Sequence, residues 1–154
     1  MPDDILIEWA LGERGSPDAA EVRIQADGWV TLSARLGGGK YRLPSDDLEA
    51  LRQFIEVEQR FGAVQQNELE AGVEAAAARQ KRVAPPGAEF HAGAQADAKT
   101  TTLRVSVRGR TQEITYHDLL GDAERYPDVE ELQRLRAIEL RLLRLAEELR
   151  QKQR

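Results

Sequence analysis

A chain of 154 residues, 41% apolar and 32% charged, has the size and balance of a single domain able to bury a core. It has no cysteine, which excludes disulfides, thiolate metal sites and a cysteine nucleophile, and no apolar run nears the roughly 20 residues of a membrane span. The net charge of −5 argues against a general nucleic-acid binder, because phosphate affinity needs clustered positive charge.

The first ten residues, MPDDILIEWA, lack the basic start and apolar core of a signal peptide, which predicts a cytoplasmic protein. Ile5 to Leu11 reads as a strand with Ile5, Ile7, Trp9 and Leu11 on one face. A loop follows at GERGSPDAA. EVRIQADGWVTLSA then forms a hairpin. With Ala26-Asp27-Gly28 as a three-residue loop, Gly28 takes the left-handed position, Gln25 opposes Trp29, Ile24 opposes Val30 and Val22 opposes Leu32. This register gathers the apolar residues on one face and leaves Trp29, Gln25 and Thr31 on the polar one.

LGGGK connects to a short strand around Tyr41 and Leu43, ended by Pro44. Ser45 suits an N-cap, and Asp46 and Asp47 suit the positive end of a helix dipole. Leu48, Leu51, Phe54, Ile55 and Phe61 predict a helix over about 46–61, with Gly62 as its stop. A second helix over 65–82 is rich in alanine, and its only sizeable apolar residues are Leu69 and Val73, so light surface packing is expected. The segment 83–99 has the composition of a flexible loop, with Phe90 as its one anchor.

TLRVSVRGRTQEITYH is a second hairpin. Placing Gly109-Arg110 in the turn opposes Val105 to Ile114 and Leu103 to Tyr116, with Arg104 and Arg108 on the opposite face. After a connection at HDLLGDAERYP, Asp128 and Glu131 suggest a capping box. Val129, Leu132, Leu135, Ile138, Leu142, Leu145 and Leu149 then follow at helical spacing. The helices share Leu48-x-x-Leu51-x-x-Phe54 and Leu132-x-x-Leu135-x-x-Ile138, a pattern that a duplicated ββα unit would leave.

These elements predict one α+β domain over 1–154. A mostly antiparallel sheet is covered on one face by the 46–61 helix and the first half of the long C-terminal helix. The expected core is Ile5, Ile7, Val22, Ile24, Val30, Leu32, Leu51, Ile55, Leu103, Val105, Ile114, Leu132, Leu135 and Ile138.

The chemistry-bearing inventory is thin. His91 falls in the loop, and His117 stands at a strand end beside Asp118, with Asp122 and Glu124 nearby. Such a group could serve a small hydrolase, but metal sites want three or more ligands, and no metal or cofactor is expected. GGGK at 37–40 lacks the Ser/Thr and helix of a phosphate loop. Ser16, Ser33, Ser45 and Ser106 lack a nucleophile-elbow context. The basic cluster at 79–82 and the acid pairs Asp46/Asp47 and Glu130/Glu131 fit helix ends.

Two features point to binding. Trp29 is an aromatic on the polar sheet face beside Gln25 and Thr31, and Arg104 and Arg108 stand on the polar face of the second hairpin. The C-terminal helix stays apolar through Leu142, Leu145 and Leu149, beyond the reach of a small sheet, as a helix meeting a partner or its own copy would.

The stretches TTTLRVSVRGRTQEITYHDL and YPDVEELQRLRAIELRLL resemble a set of small bacterial α+β proteins, and their strand-then-helix order is similar to that of emfourin-type inhibitors of thermolysin-like metalloproteases. That resemblance covers the C-terminal half and implies a protein-binding module without catalysis. Three functional expectations stand together: a non-enzymatic protein-binding module, of which an inhibitor is one form; a structural subunit that homodimerises through 138–150; and a small enzyme using His117. Neither nucleic acid nor membrane is an expected partner.

Overall fold

The structure is a computed structural model that describes residues 5–13, 15–83, 99–107 and 109–152. Six strands form one antiparallel sheet: β1 (Ile5–Leu11), β2 (Ala20–Gln25), β3 (Trp29–Leu32), β4 (Lys40–Arg42), β5 (Thr100–Val107) and β6 (Arg110–His117), in the order β4-β3-β2-β1-β5-β6. The first four make a meander, and β5 returns to pair with β1, so β1 is interior and flanked by a hairpin on each side. Four helices complete the chain: α1 (Ser45–Gln53), α2 (Gln66–Val83), α3 (Leu119–Arg125) and α4 (Glu130–Lys152).

One face of the sheet carries Ile7, Trp9, Val22, Ile24, Val30, Leu32, Leu103, Val105 and Ile114, all buried in a single core with residues of the helices. Val105 and Ile114 point the same way, as their parity requires. The expected core is therefore present, with one exception. The register slips between Ile5 and Ile7, where Ile5 pairs with Gln25 and Ile7 with Ile24. The extra residue, Leu6, reverses parity beyond it. Ile5 turns toward the polar face with Gln25 and is only partly buried, while Leu6 packs against the core.

The first hairpin has the expected register, Val22 opposite Leu32 and Ile24 opposite Val30, and Gly28 has φ +97°. The second slides by two residues: Leu103 pairs with Ile114 and Val105 with Gln112, so Arg110 is paired in β6, opposite Val107, rather than standing in the turn. A two-residue slip preserves parity, so the buried set is unchanged. Contacts from outside the hairpin fit the observed register. The Gln112 amide nitrogen donates to the carbonyls of Phe61 and Val64, and Gln66 holds the backbone of Thr115.

The helix that begins at Ser45 stops sooner than its apolar spacing predicts. Pro44 occupies the cap position, with no side-chain cap hydrogen bond, and Ser45 is the first helical residue instead. A π-helical turn over Phe54–Glu58 follows α1, with the Gln59 N–H bonded to Phe54 O at 2.9 Å. Arg60 then takes a left-handed conformation, so the break comes two residues before Gly62. The wider turn sets both Ile55 and Phe61 in the core. α2 packs more firmly than its alanine content suggests, because Leu69, Val73 and Ala76 are all buried. The connection after β6 is itself helical. Asp118, at φ 62°, caps α3 by accepting the Gly121 N–H. The segment 84–98, with Phe90 and His91, lies outside the described residues, as does Arg108.

The distal half of α4 corrects an expectation. Leu142, Leu145 and Leu149 are buried in the chain's own core. Leu145 and Leu149 line a narrow cleft of about 240 Å³ together with Leu43 and Leu51, which places the end of α4 against α1 and the residue after β4. The Arg150 stem lies against Gly37 in the loop before β4. A six-strand sheet is wide enough to give the apolar seam a surface, so these three leucines are packed mainly within the chain itself.

Candidate functional site

With every helix contributing to the core on one side, the other face of the sheet is left without a helical cover among the described residues. Its side chains follow from the pairing. One row crosses all six strands: Lys40, Thr31, Arg23, Glu8, Arg104 and Glu113. Glu8 sits on the interior strand, buried, with Arg23 Nε 3.5 Å from its carboxylate and Arg104 as its cross-strand partner on the other side. Alternating signs opposite one another are the favourable arrangement on a sheet face.

The adjacent row holds Arg42 opposite Trp29, with Gln25 and Ile5 paired beyond them. Trp29 is positioned by its turn. Asp27 Oδ1 accepts the Trp29 N–H at 3.2 Å, Gly28 N–H donates to Gln25 O at 3.0 Å, and Leu43 N–H donates to Gly28 O at 2.8 Å. The indole, partly exposed, lies under two cations, Lys40 Nζ at 4.9 Å and the Arg42 guanidinium carbon at 5.3 Å from the ring centre. Cation–π contacts at such sites contribute roughly 0.5–1 kcal/mol each, enough to hold the ring but not to bury it. Gln25, Thr31, Trp29 and Arg104 therefore share this face as expected, and Ile5 and the two β4 cations join them. The pairing of β4 to β3 is what makes the cations neighbours of Trp29. The bulge at Leu6 is what brings Ile5 across.

The second candidate was His117. Its Nδ1 lies 3.2 Å from Thr100 Oγ1, its cross-strand neighbour, and the side chain is exposed. The nearby carboxylates gather around Arg125. Asp118 Oδ2 is 3.0 Å from Arg125 Nη2, and Asp122 pairs with Arg125 Nη1 and accepts the Tyr116 hydroxyl at 2.6 Å. Asp122 is fully buried. Burial first, and then the Asp122 hydrogen bond and charge, raise the Tyr116 hydroxyl far above the ordinary tyrosine range; burial and Asp122 raise Tyr126 as well. A phenol held protonated against a carboxylate neutralised by arginine makes a structural node joining β6 to α3.

A second buried node was missed in the sequence. Glu139 on α4 accepts the Trp9 indole N–H at 3.1 Å and the Thr101 hydroxyl at 2.7 Å, and pairs with Arg136 at 2.5 Å. Nothing in its helical spacing separates Glu139 from a solvent-facing acid. Only Trp9, whose N–H needs an acceptor when buried, signalled it.

The glycines of GGGK all have positive φ, and the N–H groups of Gly37 and Gly38 are spent on Ala34 O and Ser33 O within the loop. A strand follows, as expected, rather than a helix. An open groove of about 860 Å³ runs along β6, lined by Phe61, Val64, Gln66, Arg110, Gln112 and Ile114 among others. Among the described residues no group of three His, Asp or Glu side chains could hold a metal ion, and no helix is long and apolar enough to cross a membrane. No family model, no curated protein and no solved structure matches the chain.

Proposed function

We propose that this chain is a non-enzymatic protein-binding module whose contact surface is the open face of the sheet, centred on Trp29. The observation that carries this reading is the partly exposed indole in contact with Lys40 and Arg42 on a face that no described helix covers. Tryptophan and arginine are the residues most enriched at binding hot spots, and a ring already fixed by its neighbours loses little freedom on contact. A protease inhibitor is one form of such a module, the form implied by the emfourin resemblance. The homodimer reading through 138–150 loses support because Leu142, Leu145 and Leu149 are engaged internally. The enzyme reading loses support because Asp118 and Asp122 are engaged by Arg125.

The test uses the full chain as bait in its native host, with Trp29→Ala as control, followed by hydrogen-exchange mapping of the recovered complex. The variant, checked for an unchanged circular dichroism spectrum, should lose the partner, and protection should fall on 22–31 and 40–42. A variant that keeps every partner would overturn the reading.

A further inference from the structure

The charges on the open face are unevenly satisfied, and this names a partner class. Toward the β5–β6 side, Arg104 stands opposite Glu113, and Arg23 is within 3.5 Å of the Glu8 carboxylate. Toward β4 the balance fails. Lys40 and Arg42 are exposed, and their side chains contact the Trp29 ring; neither makes an ion pair among the described residues. The nearest acid in the turn, Asp27, spends an oxygen on the Trp29 N–H. A chain of net charge −5 thus presents a local cationic and aromatic patch at one edge of its sheet.

We infer that this patch takes an extended acidic peptide segment, a deepening that rests on the binding-module reading above. Lys40 and Arg42 are two residues apart on one strand, so their side chains emerge on the same face about 6.6 Å apart, twice the strand rise. Alternate side chains of an extended segment have the same spacing. Carboxylates at positions i and i+2 therefore meet both cations, while an apolar side chain of the same parity, at i−2 or i+4, lies toward the indole and Ile5. Arg42 can take a carboxylate through two parallel N–H groups, and Lys40 supplies a point charge. A single-stranded nucleic acid could present similar charge spacing and stack on Trp29, but it carries a charge at every phosphate. The chain's overall negative charge opposes that more than it opposes a peptide with two or three acids.

The test is fluorescence anisotropy with the full chain and a dye-labelled peptide carrying glutamate, glutamate and phenylalanine at alternate positions, i, i+2 and i+4, with serine between them. The comparison probes are the same peptide with lysine for glutamate, and a short oligothymidine. The acidic peptide should bind and the lysine peptide should not. Lys40→Glu with Arg42→Glu should weaken binding about tenfold or more, and raising salt from about 50 to about 300 mM should weaken it several-fold. Equal binding of both peptides, unchanged affinity in the double variant, no binding at all, or tighter binding of the oligothymidine would each overturn the acidic-peptide inference. Because the bait experiment does not depend on peptide charge, a Trp29-dependent partner with failure here would leave the module reading standing and remove only the acidic class.

Discussion

Trp9 and Glu139 lie 130 residues apart in sequence and meet at 3.1 Å, indole nitrogen to carboxylate, under the interior strand of the sheet. Thr101 donates to the same oxygen, and Arg136 balances the charge from one turn earlier on α4. This node fixes the rotation of the long helix, because turning it by one residue would break both of its polar contacts to the sheet, Trp9 and Thr101, at once.

Replacing Glu139 with leucine should therefore destabilise the protein by about 3–5 kcal/mol despite the gain in apolar volume. It leaves the Trp9 N–H and the Thr101 hydroxyl buried without an acceptor. Glu139→Gln keeps one acceptor oxygen and should cost less, about 1–2 kcal/mol. Urea unfolding of the two variants checks the order, and a leucine variant as stable as the parent would refute the account.

Alkaline pH acts on the Tyr116 node. The folded Tyr116 and Tyr126 hold their protons above the ordinary value of 10.0, while in the unfolded chain they lose them near it. Their contribution to stability is complete below that value and falls as pH rises past it, by up to about 1.4 kcal/mol per pH unit for each group. Tyr116→Phe should remove one share of that alkaline slope. At neutral pH it should cost about 1–3 kcal/mol, because the hydrogen bond to the Asp122 carboxylate is lost. Unfolding midpoints measured between neutrality and about pH 11 separate the two effects.

The two hairpin glycines give a paired comparison. Gly28 and Gly109 both have positive φ, +97° and +79°. A Cβ on Gly28 would lie 2.8 Å from the Leu43 carbonyl oxygen, which is backbone and cannot swing away, whereas a Cβ on Gly109 meets nothing within 4 Å among the described residues. Gly109→Ala should cost only the left-handed backbone penalty, about 1–2 kcal/mol. Gly28→Ala should cost about 1–3 kcal/mol beyond that and loosen β4 from Trp29. Equal melting temperatures for the two variants would contradict the geometry.

The strand pattern was readable because parity is a local property. Val22, Ile24, Val30 and Leu32, and then Leu103, Val105 and Ile114, announce a buried face whatever the register, and the two-residue slip in the second hairpin left that face intact. What the pattern could not hold was anything set by distant contacts. Gln112 chooses the second register through carbonyls some 50 residues earlier. Leu6 adds a residue to β1 and turns Ile5 over without any glycine to mark it. The distal leucines of α4 are surplus only to a narrow sheet, and the width of a sheet depends on strand pairings that no local pattern encodes. The Trp29 face was legible in outline, yet its two cations depend on the β3–β4 register, and a three-residue strand leaves little periodicity to read.

The long helix offers a direct contrast between buried and exposed leucines. Leu142 is fully buried and Leu140, two residues earlier, is 48% exposed. Leu142→Ala should cost about 2–5 kcal/mol, and Leu142→Glu with Leu149→Glu should unfold the chain rather than turn a dimer into monomers. Leu140→Glu should change stability by no more than about 0.5 kcal/mol. Light scattering together with circular dichroism distinguishes these outcomes: folded monomers from the double variant would return the homodimer reading to favour.

Gln66 closes one end of the β6 edge. Its amide accepts the Thr115 N–H at 3.0 Å and donates to the Thr115 carbonyl at 2.8 Å, the two bonds a further strand would make there. The same nitrogen also lies 3.1 Å from Glu70. Gln66→Ala should speed hydrogen exchange at the Thr115 amide and cost about 0.5–1.5 kcal/mol. Gln66→Glu has nearly the same shape but brings a carboxylate against both the Thr115 carbonyl and Glu70. At neutral pH it should be at least as damaging as alanine. Protonation below about pH 4 restores a donor, so the glutamate variant should then recover relative to alanine. A glutamate variant indistinguishable from the parent at neutral pH would show that the donor half of this pair contributes nothing to the edge.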